Sequence, residues 1–255
     1  MSAFAPLLAE LDAWSEAGRV AQFWWRDDDA ADAAPALATM LALRRAAEVP
    51  LALAAIPLAA TDALADAVAA ESGVQVWQHG IRHANRAAPP AKKQELVSAA
   101  PDIRAGLEEG RRQLARRFGA RARPVLVPPW NRIAPDLLPL LPGLGFCGLS
   151  TFKPRSKPFA APGLGRINTH VDLLDWRAGA SFRGAEACVR DLTAHLSAKR
   201  NGRADADEPT GVLGHHRVMQ ADAWAFLGAL FAATTEKSCC VWTLPAFPDP
   251  ASEPE

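Results

Sequence analysis

Apolar residues recur at helical spacing near the start of the chain (Leu7, Leu8, Leu11, Trp14) and the pattern stops at Gly18, which predicts an amphipathic helix over 6–17. Beyond it, short apolar runs alternate with longer amphipathic stretches. The runs predict strands at 22–26, 51–56, 74–77, 125–127, 146–149, 166–169, 211–214 and 240–244. The intervening periodicity predicts helices at 35–48, 61–70, 92–118 with a break at Pro101, 135–141, 184–199 and 221–232. Residues 85–90 form a loop, and 153–165, rich in proline, glycine and basic residues, predict a long surface loop that is a lid or an insertion. The polar stretch 201–209 predicts a mobile connection, and 248–255 a flexible tail. No internal repeat or linker divides the chain. Strand, loop and helix recur seven or eight times, which argues for parallel strands in a barrel or an open doubly wound sheet, built as one domain over 1–255.

Polar clusters follow the strands, where α/β folds gather their sites. Phe23-Trp24-Trp25 runs into Arg26-Asp27-Asp28-Asp29. Three adjacent acids repel one another, so a solvated strand end, a helix N-terminus, or a metal ion with a base beside it would each explain them. His79 and His83 stand four apart, and on a helical turn that spacing puts both imidazoles within reach of one ion. One carboxylate with two imidazoles makes a three-ligand face with open positions, as a catalytic metal site requires. In Pro128-Pro129-Trp130-Asn131 two prolines stiffen a turn, so the Trp130 N–H is aimed as an oxyanion donor, although a rigid turn with a core tryptophan explains the segment equally. Asp172 and Asp175-Trp176 offer either a helix cap with a buried indole, or a carboxylate that orients a catalytic group beside a pocket wall. His215-His216 ends a late strand. Alternation sends the two to opposite sides, so one of them enters the site as a general acid.

Composition narrows the classes. About half of the 255 residues (49%) are apolar, enough for one large core, and Lys+Arg and Asp+Glu balance at 28 each, so no global charge draws the chain to nucleic acid or an anionic membrane. The basic run at Arg111-Arg112 and Arg116-Arg117 follows Glu108-Glu109 and reads as a solvated helix face. Cys147, Cys188, Cys239 and Cys240 lack metal-type spacing and read as reduced thiols. Met1-Ser2-Ala3-Phe4 opens no signal peptide, and no apolar stretch is long enough to span a bilayer, so a cytoplasmic location without membrane insertion is expected.

In this order the motifs resemble those of the polysaccharide deacetylase family, carbohydrate esterase family 4. Arg26-Asp27-Asp28-Asp29-Ala30 stands where the family has Thr-Phe-Asp-Asp-Gly. His79-Gly80-Ile81-Arg82-His83 resembles His-(Ser/Thr)-x-x-His, and Val127-Pro128-Pro129-Trp130-Asn131 resembles Arg-Pro-Pro-Tyr-Gly. Asp172-Leu173-Leu174-Asp175-Trp176 matches Asp-x-x-Asp-Trp, and Leu213-Gly214-His215 matches Leu-x-His. The resemblance spans roughly 22–244 and implies a distorted (β/α)7 barrel. It also implies a divalent metal, zinc first, and hydrolysis of acetamido groups on amino sugars. By position it makes Asp28 the base, Asp29, His79 and His83 the ligands, and His215 the acid. Trp130, Asn131, Asp175 and Trp176 would surround the substrate, and Arg26, Asp27, Asp172 and His216 would support them. A register with Asp27 as base and Asp28 as ligand stays open. Val127 replaces the arginine that orients the base in the family, Arg26 being the available substitute, and Gly80 replaces the hydroxyl residue. Without an export signal, a small or glycoconjugate substrate (soluble, nucleotide- or lipid-linked) is expected rather than a wall polymer. A non-catalytic sugar- or partner-binding member with a relict metal site is the alternative.

Overall fold

The computed structural model describes residues 3–247, so the tail expected at 248–255 lies outside the described residues. Helix α1 (Ala5–Glu16) leads into strand β1 (Ala21–Ala30). Helix α2 (Pro35–Ala47), strand β2 (Leu51–Ala55), helix α3 (Asp62–Ala69) and strand β3 (Val74–His79) follow. Then come helix α4 (Pro101–Phe118), strand β4 (Ala122–Val127) and strand β5 (Gly148–Leu149). A hairpin of β6 (Phe159–Ala161) and β7 (Leu164–Arg166) precedes β8 (Val171–Asp172), and a second hairpin is made by β9 (Leu174–Asp175) and β10 (Ser181–Phe182). Helix α5 (Ala185–Arg200), strand β11 (Thr210–Gly214), helix α6 (Ala221–Thr235) and strand β12 (Cys240–Trp242) complete the fold.

The main sheet runs β6-β7-β5-β4-β3-β2-β1-β11-β8, with β12 also on β1, and every pairing in it except β6–β7 is parallel. Among the described residues no ladder of strands closes it into a barrel. Instead one segment, 164–172, spans the gap: it pairs with β5 at its start and with β11 at its end, with a bridge from Phe152 to Thr169 between.

The period of two along each strand sorts the core into layers. On β1, Phe23 and Trp25 join Leu51, Leu53, Val74 and Val76 in a large cluster shared with helix residues such as Leu37, Met40, Leu227 and Phe231. Trp24 instead packs with Ala52, Ala54, Trp77, Val125 and Val127 on the other face of the sheet. Arg26 and Asp28 continue the face of Trp24, and His79 continues that of Trp77. Sequence parity alone thus points these groups to one interior space above the tryptophans.

Several boundaries differ from expectation. The acids lie within β1, which is 10 residues long rather than ending at residue 26. The helix expected from residue 92 begins at Pro101, since a residue before proline is held extended and proline suits the first helical turn. Residues 135–140 form a 3-10 helix with Pro139 inside it. The expected surface loop at 153–165 contains the β6–β7 hairpin. It is tied to the stretch expected to be mobile at 201–209, because Arg155 pairs with Asp205 at 2.8 Å and its N–H donates to Glu208. Glu208 is fully buried. Among the described residues no helix is long and apolar enough to cross a membrane.

Candidate active site

The three acids of β1 have three different environments. Asp27 faces away from the pocket. It is fully buried, and its carboxylate accepts the His216 N–H at 2.9 Å and meets His216 Nδ1 at 2.5 Å. Although burial disfavours the charged imidazole, the adjacent Asp27 carboxylate raises the His216 pKa overall. Asp28 faces inward and is clamped by Arg26, with Nε–Oδ1 at 2.8 Å and Nη2–Oδ2 at 3.0 Å. Arg26 is itself fully buried and held by Ser150 Oγ at 2.7 Å, the Thr151 carbonyl at 3.2 Å and Asn131 Oδ1 at 3.0 Å. Parity would send Asp29 outward with Asp27. A register shift between Asp27 and Ala30, with Asp29 at φ 69°, turns it back toward the pocket.

There Asp29 Oδ1 lies 3.0 Å from His79 Nε2 and 3.3 Å from His83 Nε2. His79 ends β3, and the His79–His83 segment is not a helical turn: Gly80 and His83 have φ of 58° and 57°. Spacing alone therefore brought out the pair, but a tight left-handed loop is what makes it converge. Glu95 anchors that loop. It is 1% exposed and accepts the N–H groups of Ile81 and Arg82 at 2.9 Å and of Ala84 at 3.1 Å. A Cβ at residue 80 would run into the Glu95 carboxylate and the Pro129 ring, so both the positive φ and the packing require glycine at this departure from the resembled motif.

His79 Nδ1 faces the Val127 carbonyl at 3.0 Å. A carbonyl only accepts, so this nitrogen carries a proton and Nε2 is left to face Asp29. Burial works against charge on His79, but the hydrogen bond with Asp29 and the nearby Asp28 raise its pKa overall. Burial likewise opposes the charge on Asp29, and the histidines around it lower its pKa nonetheless. His83 is lowered, chiefly by burial. One ligand atom from each of Asp29, His79 and His83 lies within 4.8 Å of the others. One carboxylate and two imidazoles, one ring oriented by a backbone carbonyl, suit a divalent transition metal such as zinc.

A cavity of about 550 Å3 opens over these groups. It is lined by Asp28, Asp29, His79, His83, Trp130 and Asn131 on one part, and by Asp172, Trp176 and His215 on another. The Trp130 ring packs on His83, 4.5 Å between centroids. Trp130 and Asn131 both have positive φ, and the turn is closed by bonds from Asn131 N and Arg132 N that leave the Trp130 amide without a partner among the described residues. His215 and not His216 reaches the cavity. Asp172 Oδ1 lies 4.0 Å from His215 Nδ1, and Asp172 Oδ2 accepts the Trp176 indole N–H at 2.9 Å. Burial pushes the Asp172 pKa up against the opposing pull of His215. Asp175 is not among the lining residues: it is exposed and caps the following turn through Arg177 N and Ala178 N. Of the two motif acids it is thus Asp172 that meets the histidine. Asn131 lines the cavity but also holds Arg26, a role its motif position did not suggest.

A second cluster, His170, His195 and Glu208, was not singled out from the sequence, because 170, 195 and 208 share no motif spacing. The Gly211 N–H donates to His170 Nδ1 at 2.9 Å, so His170 Nε2 carries the proton that faces Glu208 at 3.2 Å. The two rings stack with centroids 3.5 Å apart and planes 19° apart. In-plane lone pairs of nearly parallel rings do not converge on one ion, so this cluster reads as a buried tie between segments.

No family model matches the chain, and no curated protein matches it in sequence. Solved structures do match in fold. The fold is that of the polysaccharide deacetylases and family 4 carbohydrate esterases. A protein from Mycobacterium smegmatis assigned as a polysaccharide deacetylase shares 16% identity, over 89% of this chain and 87% of that one, at a TM-score of 0.59. A peptidoglycan N-acetylglucosamine deacetylase solved with an N-hydroxybenzamide shares 17%, over 92% and 94%, at 0.54. A family 4 pseudoenzyme from Bacillus anthracis shares 13%, over 85% of this chain and 61% of that one, at 0.53.

Proposed function

We propose that this protein is a metal-dependent hydrolase that removes an N-acyl group, acetyl first, from an amino sugar or related small substrate. The observation that carries the reading is the side-by-side placement of Asp29 between His79 and His83 and of Asp28 clamped by Arg26, within one cavity. Asp29, His79 and His83 would hold the ion, zinc first. When bound, it supplies Lewis-acid polarisation of the acyl carbonyl and a lowered pKa for water. Asp28, oriented by two contacts to Arg26, takes the proton from the attacking water. The Trp130 N–H, fixed by the rigid turn, donates to the developing oxyanion. His215, backed by Asp172, delivers a proton to the departing amine nitrogen. Asn131 and Trp176 border the substrate, and Arg26, Asp27, Asp172 and His216 support the groups that meet it.

The alternative, a binding protein with a relict site, drew on the missing arginine at Val127. Arg26 reaches Asp28 in a two-point contact, which weakens that ground. The test is zinc-dependent release of acetate from N-acetylated amino sugars by the purified protein and its Asp28→Asn variant. Turnover that falls by about 100-fold or more in the variant is expected. A wild-type protein that takes up zinc and hydrolyses no acylated amine would establish the binding reading instead.

A further inference from the structure

The carboxylates of the cavity are committed: Asp28 to Arg26, Asp29 to two histidines, and Asp172 to Trp176 and His215. Two arginines that line the same cavity, Arg132 and Arg177, form no ion pair among the described residues. Arg132 follows the Trp130–Asn131 turn, and its Nη1 donates to the Lys93 carbonyl at 2.8 Å, which orients the guanidinium and leaves its other donors unused among the described residues. Arg177 is carried on the β9–β10 hairpin. Its backbone is held by the Asp175 cap, and its side chain makes no hydrogen bond among the described residues. Two guanidinium groups that line one cavity from two separate elements and form no ion pair among the described residues, one of them oriented by a backbone carbonyl, offer paired N–H donors to an oxyanion.

We propose that the substrate is an acylated amino sugar carrying a phosphate or carboxylate, recognised by Arg132 and Arg177 at the mouth of the site. The proposal rests on the hydrolase reading above for its chemistry, but its selectivity can be measured apart from turnover. The experiment compares the zinc-loaded protein on N-acetylglucosamine, its 1- and 6-phosphates, and N-acetylmuramic acid, which separates phosphate from carboxylate. At low ionic strength at least one anionic compound should exceed the neutral one in kcat/KM by roughly tenfold or more. That ratio should fall toward one in Arg132→Gln and Arg177→Gln, and in high salt. A neutral compound that is hydrolysed as well as or better than all the anionic ones overturns the proposal. An anionic preference that survives both substitutions overturns the assignment to these arginines. If none of the compounds is hydrolysed, the hydrolase reading fails, and calorimetric binding of glucosamine, its phosphates and muramic acid decides the matter. Tighter binding of an anion to the wild type but not to the variants upholds the proposal, and equal binding refutes it.

Discussion

Adjacent residues with identical side chains have different fates here because the backbone aims them differently. Asp27 is a buried partner of His216, Asp28 a clamped carboxylate in the cavity, and Asp29 a candidate ligand turned inward by a left-handed backbone. Asp27→Asn removes one charge of a fully buried pair and is expected to lower unfolding stability by about 3 kcal/mol while zinc binding persists, as read by denaturant titration and metal content. Arg26→Lys keeps the charge but loses the two-point contact with Asp28. A fall in kcat/KM of roughly 10- to 100-fold with zinc retained is expected, and undiminished turnover would show that Arg26 does not position the base.

At the scale of elements, the loop between His79 and His83 depends on a carboxylate from a distant segment. Gly80→Ala forces a side chain into a left-handed backbone and against Glu95, so a loss of more than about 1 kcal/mol in stability and weaker zinc binding are expected. Glu95→Gln should weaken zinc binding by about 10-fold, the cost of a lost supporting contact, measured by competition with a chelator. These elements also show what could be read in advance. The strand ends with their polar clusters were legible, because apolar runs ending in acids, histidines or prolines leave a local signature. The choice among the three acids was half legible: parity places Asp27 and Asp28 on opposite faces, but the shift that returns Asp29 has no sequence signal. Glu95 and Glu208 were not legible at all. Glu95 is a single acid in a polar-looking segment and Glu208 one of three acids in another, and the burial of each depends on backbone N–H groups supplied by other parts of the chain.

At the scale of the molecule, the sheet gathers its functional groups above Trp24 and Trp77, and the segment 164–172 connects its two edges. The buried His170–His195–Glu208 tie fastens that segment to α5 and to the stretch before β11. Burial lowers the His195 pKa to about 2, far below its ordinary value. Between that value and about 6.5 the unfolded chain binds a proton that the folded one refuses. His195 therefore costs the folded state nothing by titration above about pH 6.5 and destabilises it progressively as pH falls below that value. His216 acts in the opposite sense, since a raised histidine pKa favours folding at low pH. The comparison that isolates His195 is wild type against His195→Gln in denaturant unfolding from pH 7 to 4. The wild type should lose ground to the variant as pH falls, and parallel curves would mean that His195 is not held neutral.

The division of labour along β1 is tested most directly by bound zinc per chain in Asp27→Asn, Asp28→Asn and Asp29→Asn, each purified in folded form and loaded identically. Loss of zinc in Asp29→Asn alone is the predicted result. Zinc retained by Asp29→Asn and lost from Asp28→Asn would contradict it and return the site to the other register.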